Sequence, residues 1–144
     1  MKKESLANIM ILFGIVSADR IAKYYLNDGC LGVFCIKKAF NTGASFGIFL
    51  GLTPLFIAAA IAVLALMAFY YRKVGKTLRL SFAFIGAGTL GNLIDRIFLG
   101  GVIDLFSILH SSSFNIADLS NLVGGIILIY ALFGKRKKAC KKAR

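Results

Sequence analysis

The stretch PLFIAAAIAVLALMAFYY, residues 54–71, decides the fold of this 144-residue chain because it carries no charged side chain over its whole length. About 20 such residues span the roughly 30 Å of hydrocarbon in a bilayer, so the stretch is typical of a transmembrane helix, with Pro54 in its first turn. Three further apolar segments cover about residues 6–26, 80–99 and 115–133, and 58% of all residues are hydrophobic. The sequence therefore predicts an all-α membrane protein with four transmembrane helices and a single domain over residues 1–144.

Basic residues flank these segments and set the predicted orientation. The net charge is +12, and the lysines and arginines cluster at Lys2 and Lys3, at residues 72–79 and at residues 135–144. Such clusters mark the cytoplasmic side of membrane proteins, whereas a nucleic-acid-binding protein would spread them over a soluble surface. Both termini are therefore predicted to be cytoplasmic, with the connections at about 27–53 and 100–114 facing outward. The first segment is predicted to be a retained helix rather than a signal peptide.

One outward connection holds the run FNTGASFG at residues 40–47, which mixes aromatic and small residues with glycines. This pattern favours a short strand-and-turn structure. We therefore expect a small extended, β-like element on the periplasmic side between helices 1 and 2. Cys30 and Cys35 of the same connection fit either a disulfide or two thiols, and Cys140 of the basic tail fits either a lipidated or a plain thiol.

Acidic residues are scarce, and most of them lie in or beside the apolar segments. The chain has five aspartates and one glutamate, and Asp19, Asp95, Asp104 and Asp118 are so placed. A carboxylate in hydrocarbon is costly unless it meets a polar cavity or a partner, so these four are functional candidates. At about 1.5 Å of rise per residue, all but Asp104 fall in the outer third of the bilayer. Asp104 lies beyond the glycine pair 100–101, where the helix is expected to break and fold back.

Helical spacing groups further polar residues with these acids. Asp19 and Lys23 are four residues apart and form a predicted ion pair. Two polar stripes follow from positions three or four residues apart, which share a helical face. They are Asn92, Asp95 and Arg96 on one predicted helix and Asn115, Asp118 and Asn121 on the next. Because lipid would leave such stripes unsatisfied, we expect them to face one another inside the bundle.

Paired carboxylates are the chemistry that this composition favours. The only histidine, His110, falls in an outward loop, and the sequence lacks nucleophile motifs, zinc-binding patterns and glycine-rich phosphate motifs. Two carboxyl groups in one low-dielectric site do not both ionise near neutral pH, so one can activate water while the other donates a proton. From polarity alone three interpretations stay open: contacts that only join helices, a small four-span proton-coupled cation or drug transporter, and a hydrolase without metal or cofactor.

Three short motifs shift this balance. NTGASF at 41–46, GNLIDR at 91–96 followed by VID at 102–104, and FNIAD at 114–118 occur in this order on a four-span chain. Together they resemble lipoprotein signal peptidase, the bacterial signal peptidase II family of aspartic membrane peptidases. The resemblance implies a multi-pass protease of the bacterial inner (cytoplasmic) membrane that cuts diacylglyceryl-modified prolipoproteins before the lipidated cysteine, near the periplasmic face. It implies contact with membrane lipid and with a globomycin-like cyclic peptide inhibitor, and we expect a monomer without a cofactor.

The resemblance also implies roles for individual residues. Asp104 and Asp118 would be the catalytic pair that activates water. The substrate-binding or supporting residues would be Asp19, Lys23, Asn41, Gly43, Asn92, Asp95, Arg96, Asn115 and Ala117. Depth alone pairs Asp95 with Asp118, whereas the family pattern favours Asp104 and leaves Asp95 paired with Arg96 or otherwise structural.

Two departures from the family pattern bear on the site. The first-helix motif of the family usually reads Asp-Gln-x-Thr-Lys, whereas residues 19–23 here read DRIAK. The pair of Asp19 and Lys23 is therefore expected to persist, with different contacts between its members. The connection between Asp104 and Asp118 is also short, which should trim the platform above the site without removing either carboxylate.

Overall fold

The computed structural model describes residues 2–31, 34–43, 51–108 and 112–142. In chain order these form α1 (Lys2–Tyr25), β1 (Gly29–Leu31), β2 (Phe34–Asn41), α2 (Thr53–Tyr70), α3 (Lys76–Leu99), β3 (Val102–Ile108), β4 (Ser112–Phe114) and α4 (Ile116–Lys142). Residues 44–47 of the predicted strand-and-turn run, His110 and the side chains of the basic tail, Cys140 among them, lie outside the described part.

The four helices are long and apolar enough to cross a membrane, at Lys3–Tyr25, Thr53–Tyr70, Lys76–Leu99 and Ile116–Gly134. The prediction of a mainly helical chain with four candidate membrane spans is thus confirmed. The third helix begins at Lys76 rather than near residue 80. Arg79 closes the turn before it, since its Nε donates to the carbonyl oxygens of Tyr71 and Val74, both at 3.0 Å.

Small residues let α3 approach α4 closely, while α3 also contacts α1 and α2. A Cβ atom at Gly88 would lie 2.2 Å from the Ala117 carbonyl oxygen, and one at Gly124 would lie 2.5 Å from the Ile85 side chain. The Ser81 hydroxyl donates to the Gly124 carbonyl oxygen at 2.8 Å. Apolar lipid provides little hydrophobic drive for helix association, so close backbone packing and such hydrogen bonds hold the α3–α4 pair together.

A four-stranded antiparallel sheet, in the order β1-β2-β3-β4, lies beside the helix ends. The predicted extended element between the first two helices is present as β1 and β2. The prediction did not include β3 and β4, which come from the connection after α3. Gly100 ends α3 in the left-handed conformation (φ 78°), which glycine adopts without strain, and its N–H donates to the Arg96 carbonyl oxygen at 3.2 Å. The chain then reverses, and VIDLFSI extends as β3.

Cys30 and Cys35 form a disulfide, which the sequence left undecided. The two residues lie directly opposite each other in the β1–β2 ladder. The bond therefore joins the short edge strand β1 covalently to β2. Since β2 pairs with β3, which carries Asp104, the disulfide braces the sheet close to the candidate site.

Candidate active site

The start of α4 fixes the position of Asp118. Asn115 precedes the helix, and its Oδ1 accepts a hydrogen bond from the Asp118 N–H at 2.8 Å. Asp118 Oδ2 accepts in return from the Asn115 N–H at 3.3 Å. This reciprocal pair is a capping box, which satisfies two backbone donors at the end of a helix. Asn92 of α3 donates to the other carboxylate oxygen of Asp118 at 2.8 Å, so both oxygens are held.

Asp104 on β3 is brought to the same asparagine. Its side chain is buried, with 2% of the residue exposed. Asn115 Nδ2 donates to Asp104 Oδ1 at 2.9 Å, and Asn41 Nδ2 donates to Asp104 Oδ2 at 3.2 Å. Asn115 therefore binds Asp104 through its amide nitrogen and Asp118 through its amide oxygen and backbone N–H. The chain reversal after Gly100 produces this pairing. Depth alone had paired Asp95 with Asp118, whereas the family pattern favoured Asp104.

A β-bulge places Asn41 on the face of the sheet that carries Asp104. In the β2–β3 ladder Ile36 lies opposite Phe106, but Ala39 lies opposite Asp104. β2 therefore holds one more residue than β3 between these two pairs. Because side chains alternate between the faces of a sheet, an unbroken ladder continued from Ile36 would turn Asn41 to the opposite face.

Asp95 faces α1 instead of the cavity beside Asp118. Its carboxylate accepts from Lys23 Nζ at 2.7 Å and from Arg20 Nη1. The predicted stripe of Asn92, Asp95 and Arg96 therefore does not face a single neighbour. Asn92 and Arg96 line the polar cavity, whereas Asp95 contacts α1. Of the two expected alternatives for Asp95, the pair with Arg96 was wrong, because Asp95 is fully buried against the charged groups of α1; the alternative of another structural role agrees with these contacts.

Asp19 completes a network of four charges with Lys23, Arg20 and Asp95, in which all but the partly exposed Arg20 are buried. The predicted pair of Asp19 and Lys23 is present at 2.8 Å, and Arg20 Nη2 lies 2.6 Å from the same carboxylate. Two carboxylates and two cations cancel in charge, which offsets part of the cost of burying them. Sequence reasoning noted Arg20 as a departure but assigned it no partner. A basic residue next to an intramembrane aspartate was the signal that could have found this contact.

The network also holds the backbone next to each member of the carboxyl pair. Asp95 Oδ2 accepts from the N–H of Ile103, the residue before Asp104, at 3.2 Å. Asp19 Oδ1 accepts from the N–H of Ala117, the residue before Asp118, at 3.2 Å. The supporting aspartates thus fix the chain positions from which the two candidate catalytic carboxyls project.

A polar cavity of about 220 Å³ opens beside both carboxyl groups. Arg96 crosses one side of it, with Nη2 donating to the Gly43 carbonyl oxygen at 3.1 Å and the guanidinium 5.1 Å from the centre of the Phe56 ring. The Gly43 N–H donates to Asn41 Oδ1 at 2.9 Å. The cavity is lined by Asn41, Phe56, Ala60, Thr89, Asn92, Arg96, Val102, Asp104, Asp118 and Asn121.

Four lining residues, Phe56, Ala60, Thr89 and Val102, were not predicted as site residues. Phe56 and Ala60 belong to the uncharged helix α2, where nothing in the sequence distinguishes one apolar position from another. Thr89 lies three residues before Asn92, so the helical spacing that grouped the α3 polar residues could have included it. Asn121, three residues after Asp118, lines the cavity as the second predicted stripe requires.

Burial sets the proton affinity of Asp104. Removal from water disfavours its charged form and raises its pKa from 3.8 to about 6. The hydrogen bond from Asn41 lowers the pKa, the negative charge of Asp118 raises it, and the bond from Asn115 lowers it, in decreasing order of effect. The carboxyl group therefore keeps its proton to a higher pH than an exposed aspartate.

Two carboxyl groups joined through one asparagine, beside a polar cavity in a chain with four candidate membrane spans, form an arrangement compatible with a membrane hydrolase of the aspartic class. The family model described as Signal peptidase (SPase) II matches residues 11–134. The chain belongs to this family, and the resemblance of its three motifs is confirmed.

Individual relatives agree with this assignment. Proteins named lipoprotein signal peptidase are 36% identical in Clostridium novyi (strain NT), over 90% of this chain and 98% of the relative, and 40% identical in Syntrophomonas wolfei, over 86% and 92%. Two solved structures described as bacterial membrane enzymes have TM-scores of 0.85 and 0.77. The first is 26% identical and covers 92% of this chain and 90% of its own, and the second is 27% identical and covers 88% and 92%.

Proposed function

We propose that this protein removes the signal peptide from prolipoproteins by cutting before the lipidated cysteine, with Asp104 and Asp118 as the catalytic pair. Family membership and the relatives named lipoprotein signal peptidase support the activity. The observation that carries the residue assignment is Asn115, which hydrogen-bonds both carboxyl groups beside the polar cavity.

The pair supplies both proton transfers that peptide hydrolysis needs. A water held between the carboxyl groups loses a proton to the Asp118 carboxylate while its oxygen attacks the scissile carbonyl carbon. Protonated Asp104 donates to the carbonyl oxygen, so the tetrahedral intermediate carries no charge. When the C–N bond breaks, the carbonyl oxygen returns its proton to Asp104 and the leaving amine takes the proton held by Asp118. The raised pKa of Asp104 suits the role of proton donor.

The helix α2 supports access from the bilayer. None of its residues is buried, although Phe56 and Ala60 line the cavity. Such light packing costs little to separate, so a lipidated substrate can enter sideways with its acyl chains still in lipid. Arg96, Asn92 and the Asn41–Gly43 turn then contact the substrate backbone, and a globomycin-like cyclic peptide would occupy the same cavity. The enzyme works as a monomer in contact with membrane lipid.

The topology proposed from the basic clusters puts both termini in the cytoplasm and the sheet on the periplasmic face of the bacterial inner membrane. The disulfide between Cys30 and Cys35 supports this orientation, because disulfides persist in oxidising compartments outside the cytoplasm. The whole chain, residues 1–144, acts as one peptidase domain.

Asp104→Asn and Asp118→Asn test the assignment. Each variant is expected to abolish cleavage of a diacylglyceryl-modified precursor, measured by the mobility shift of the product on a gel, while still being recovered as a folded membrane protein. Asp28→Asn is the matched control, since this exposed aspartate lies outside the candidate site and accepts a hydrogen bond from the Lys38 N–H. Normal processing by either Asp104→Asn or Asp118→Asn would refute the assignment.

A further inference from the structure

A second, apolar groove lies on the same face of the sheet as Asp104. We name it the aromatic groove, with a volume of about 560 Å³. Its principal walls are Phe34, Ile36, Phe106, Phe114 and Leu119. A groove of this size is in the range that holds a small organic ligand.

The register of the sheet makes the aromatic groove continuous with the site. Phe106 lies opposite Ile36 on one side and Phe114 on the other, so the three side chains share one face. Phe106 is two residues beyond Asp104, hence on the same face and about 7 Å along the strand. Phe114 immediately precedes Asn115, the residue that joins the two carboxyl groups.

The other end of the aromatic groove opens toward the lipid-facing side of α4. Leu119 is 45% exposed in this membrane-spanning helix, and Leu122 and Ile126 continue its exposed apolar surface. An acyl chain can therefore pass from the bilayer into the groove without exposing apolar surface to water.

A peptide segment fits the aromatic groove less well than an acyl chain. β2 is hydrogen-bonded to β1 and β3, and β3 to β2 and β4, so both central strands have paired edges. The N–H and C=O groups of a peptide lying over these strands would find no backbone partner there. A hydrocarbon chain has no such groups.

We propose that the aromatic groove holds one acyl chain of the lipidated cysteine while the scissile bond lies between Asp104 and Asp118. This inference rests on the proposed function. It assigns Phe106, Phe114 and Phe34 to substrate recognition and explains why a lipid-modified cysteine, rather than a bare one, marks the cut.

Fluorescence gives a direct test, because the chain contains no tryptophan. Phe34→Trp places the sole indole in the groove, and Phe98→Trp is the matched control at a 79% exposed position on α3 outside it. Both are made in the inactive Asp118→Asn background, in nanodiscs, and mixed with a precursor whose acyl chains carry bromine, a contact quencher. We expect quenching several-fold stronger at position 34 than at position 98. Equal quenching at the two positions overturns the proposal.

Chain-length selectivity is the second readout. The ratio of kcat/KM for a dihexadecanoyl precursor to that for a dihexanoyl precursor is expected to fall about tenfold in Phe106→Ala, since an aromatic contact of this kind contributes about one order of magnitude in affinity. Phe98→Ala should leave the ratio unchanged. Damage to Asp104 alone would lower both rates and keep the ratio, which contradicts the proposal. Wild-type cleavage of the same precursor, run in parallel, separates failure of the groove from failure of the proposed function.

Discussion

Replacing Asp104 by asparagine is expected to abolish cleavage and yet stabilise the folded protein at neutral pH. Burial raises the pKa of this carboxyl from 3.8 to about 6. A group with a raised folded-state pKa contributes stability that is present below its unfolded pKa and is lost as pH rises through the folded value. The stability from Asp104 is therefore present at about pH 4 and lost above about pH 6. Asparagine does not titrate, so Asp104→Asn escapes this loss.

The shift sets the size of the effect. The difference between 3.8 and about 6 corresponds to about 3 kcal/mol at roughly 1.4 kcal/mol per pKa unit. At low pH the variant and the wild type should be equally stable, because a protonated carboxyl and an amide have the same shape. Each also has one acceptor fewer than the carboxylate, so each loses the same one of the two hydrogen bonds donated by the amide nitrogens of Asn41 and Asn115. The predicted advantage of Asp104→Asn thus grows from near zero at about pH 4 to at most about 3 kcal/mol above pH 7.

Thermal unfolding in detergent measures this difference. For a chain of this size about 3 kcal/mol corresponds to a rise in Tm of about 6–12 °C. Asp95→Asn is the control of opposite sign, because it removes one of the two carboxylates that bind buried Lys23 and partly exposed Arg20, and it should lower Tm. The reasoning from the cost of ionising a buried carboxyl group is refuted if Asp104→Asn lowers Tm at neutral pH. It is also refuted if the gain in Tm is the same at low pH as at neutral pH.

Two further perturbations test the supporting structure. Deleting Lys38 alone removes the extra residue of the β-bulge and leaves Asn41 on the same face of the sheet as Asp104, so cleavage should persist. Deleting both Lys37 and Lys38 shifts the register by one residue and turns Asn41 to the opposite face, which should lower the cleavage rate about tenfold or more. Equal rates for the two deletions would contradict the register argument. Reduction of the disulfide between Cys30 and Cys35 should destabilise the wild type by about 2 kcal/mol, measured as a lower Tm. The Tm of Cys30→Ser, which has no such bond, should not change on reduction. Equal changes in Tm in the two proteins would exclude the disulfide as the cause.

The sequence was sufficient for the four helices and for most of the polar residues that line the cavity. A run without charges over residues 54–71 specifies a membrane span because hydropathy adds along the chain and needs no knowledge of neighbours. Helical spacing likewise predicted the ion pair of Asp19 and Lys23, since residues four apart meet in any helix. Three short sequence motifs were enough to indicate the family, which the family model and the relatives confirmed.

Only the tertiary structure decided which aspartate meets which partner. Depth along the helix paired Asp95 with Asp118, and a break was expected at the glycine pair 100–101 without a known direction. In the structure Gly100, with φ of 78°, reverses the chain and brings Asp104 rather than Asp95 beside Asn115. Arg20 gained its role only because α1 and α3 set it against Asp95, and the bulge in β2 alone turns Asn41 toward Asp104. Hydropathy and helical period are properties of one segment, whereas these contacts depend on the angle at a turn and the count of residues between two strands. Such quantities become fixed only when distant segments pack together.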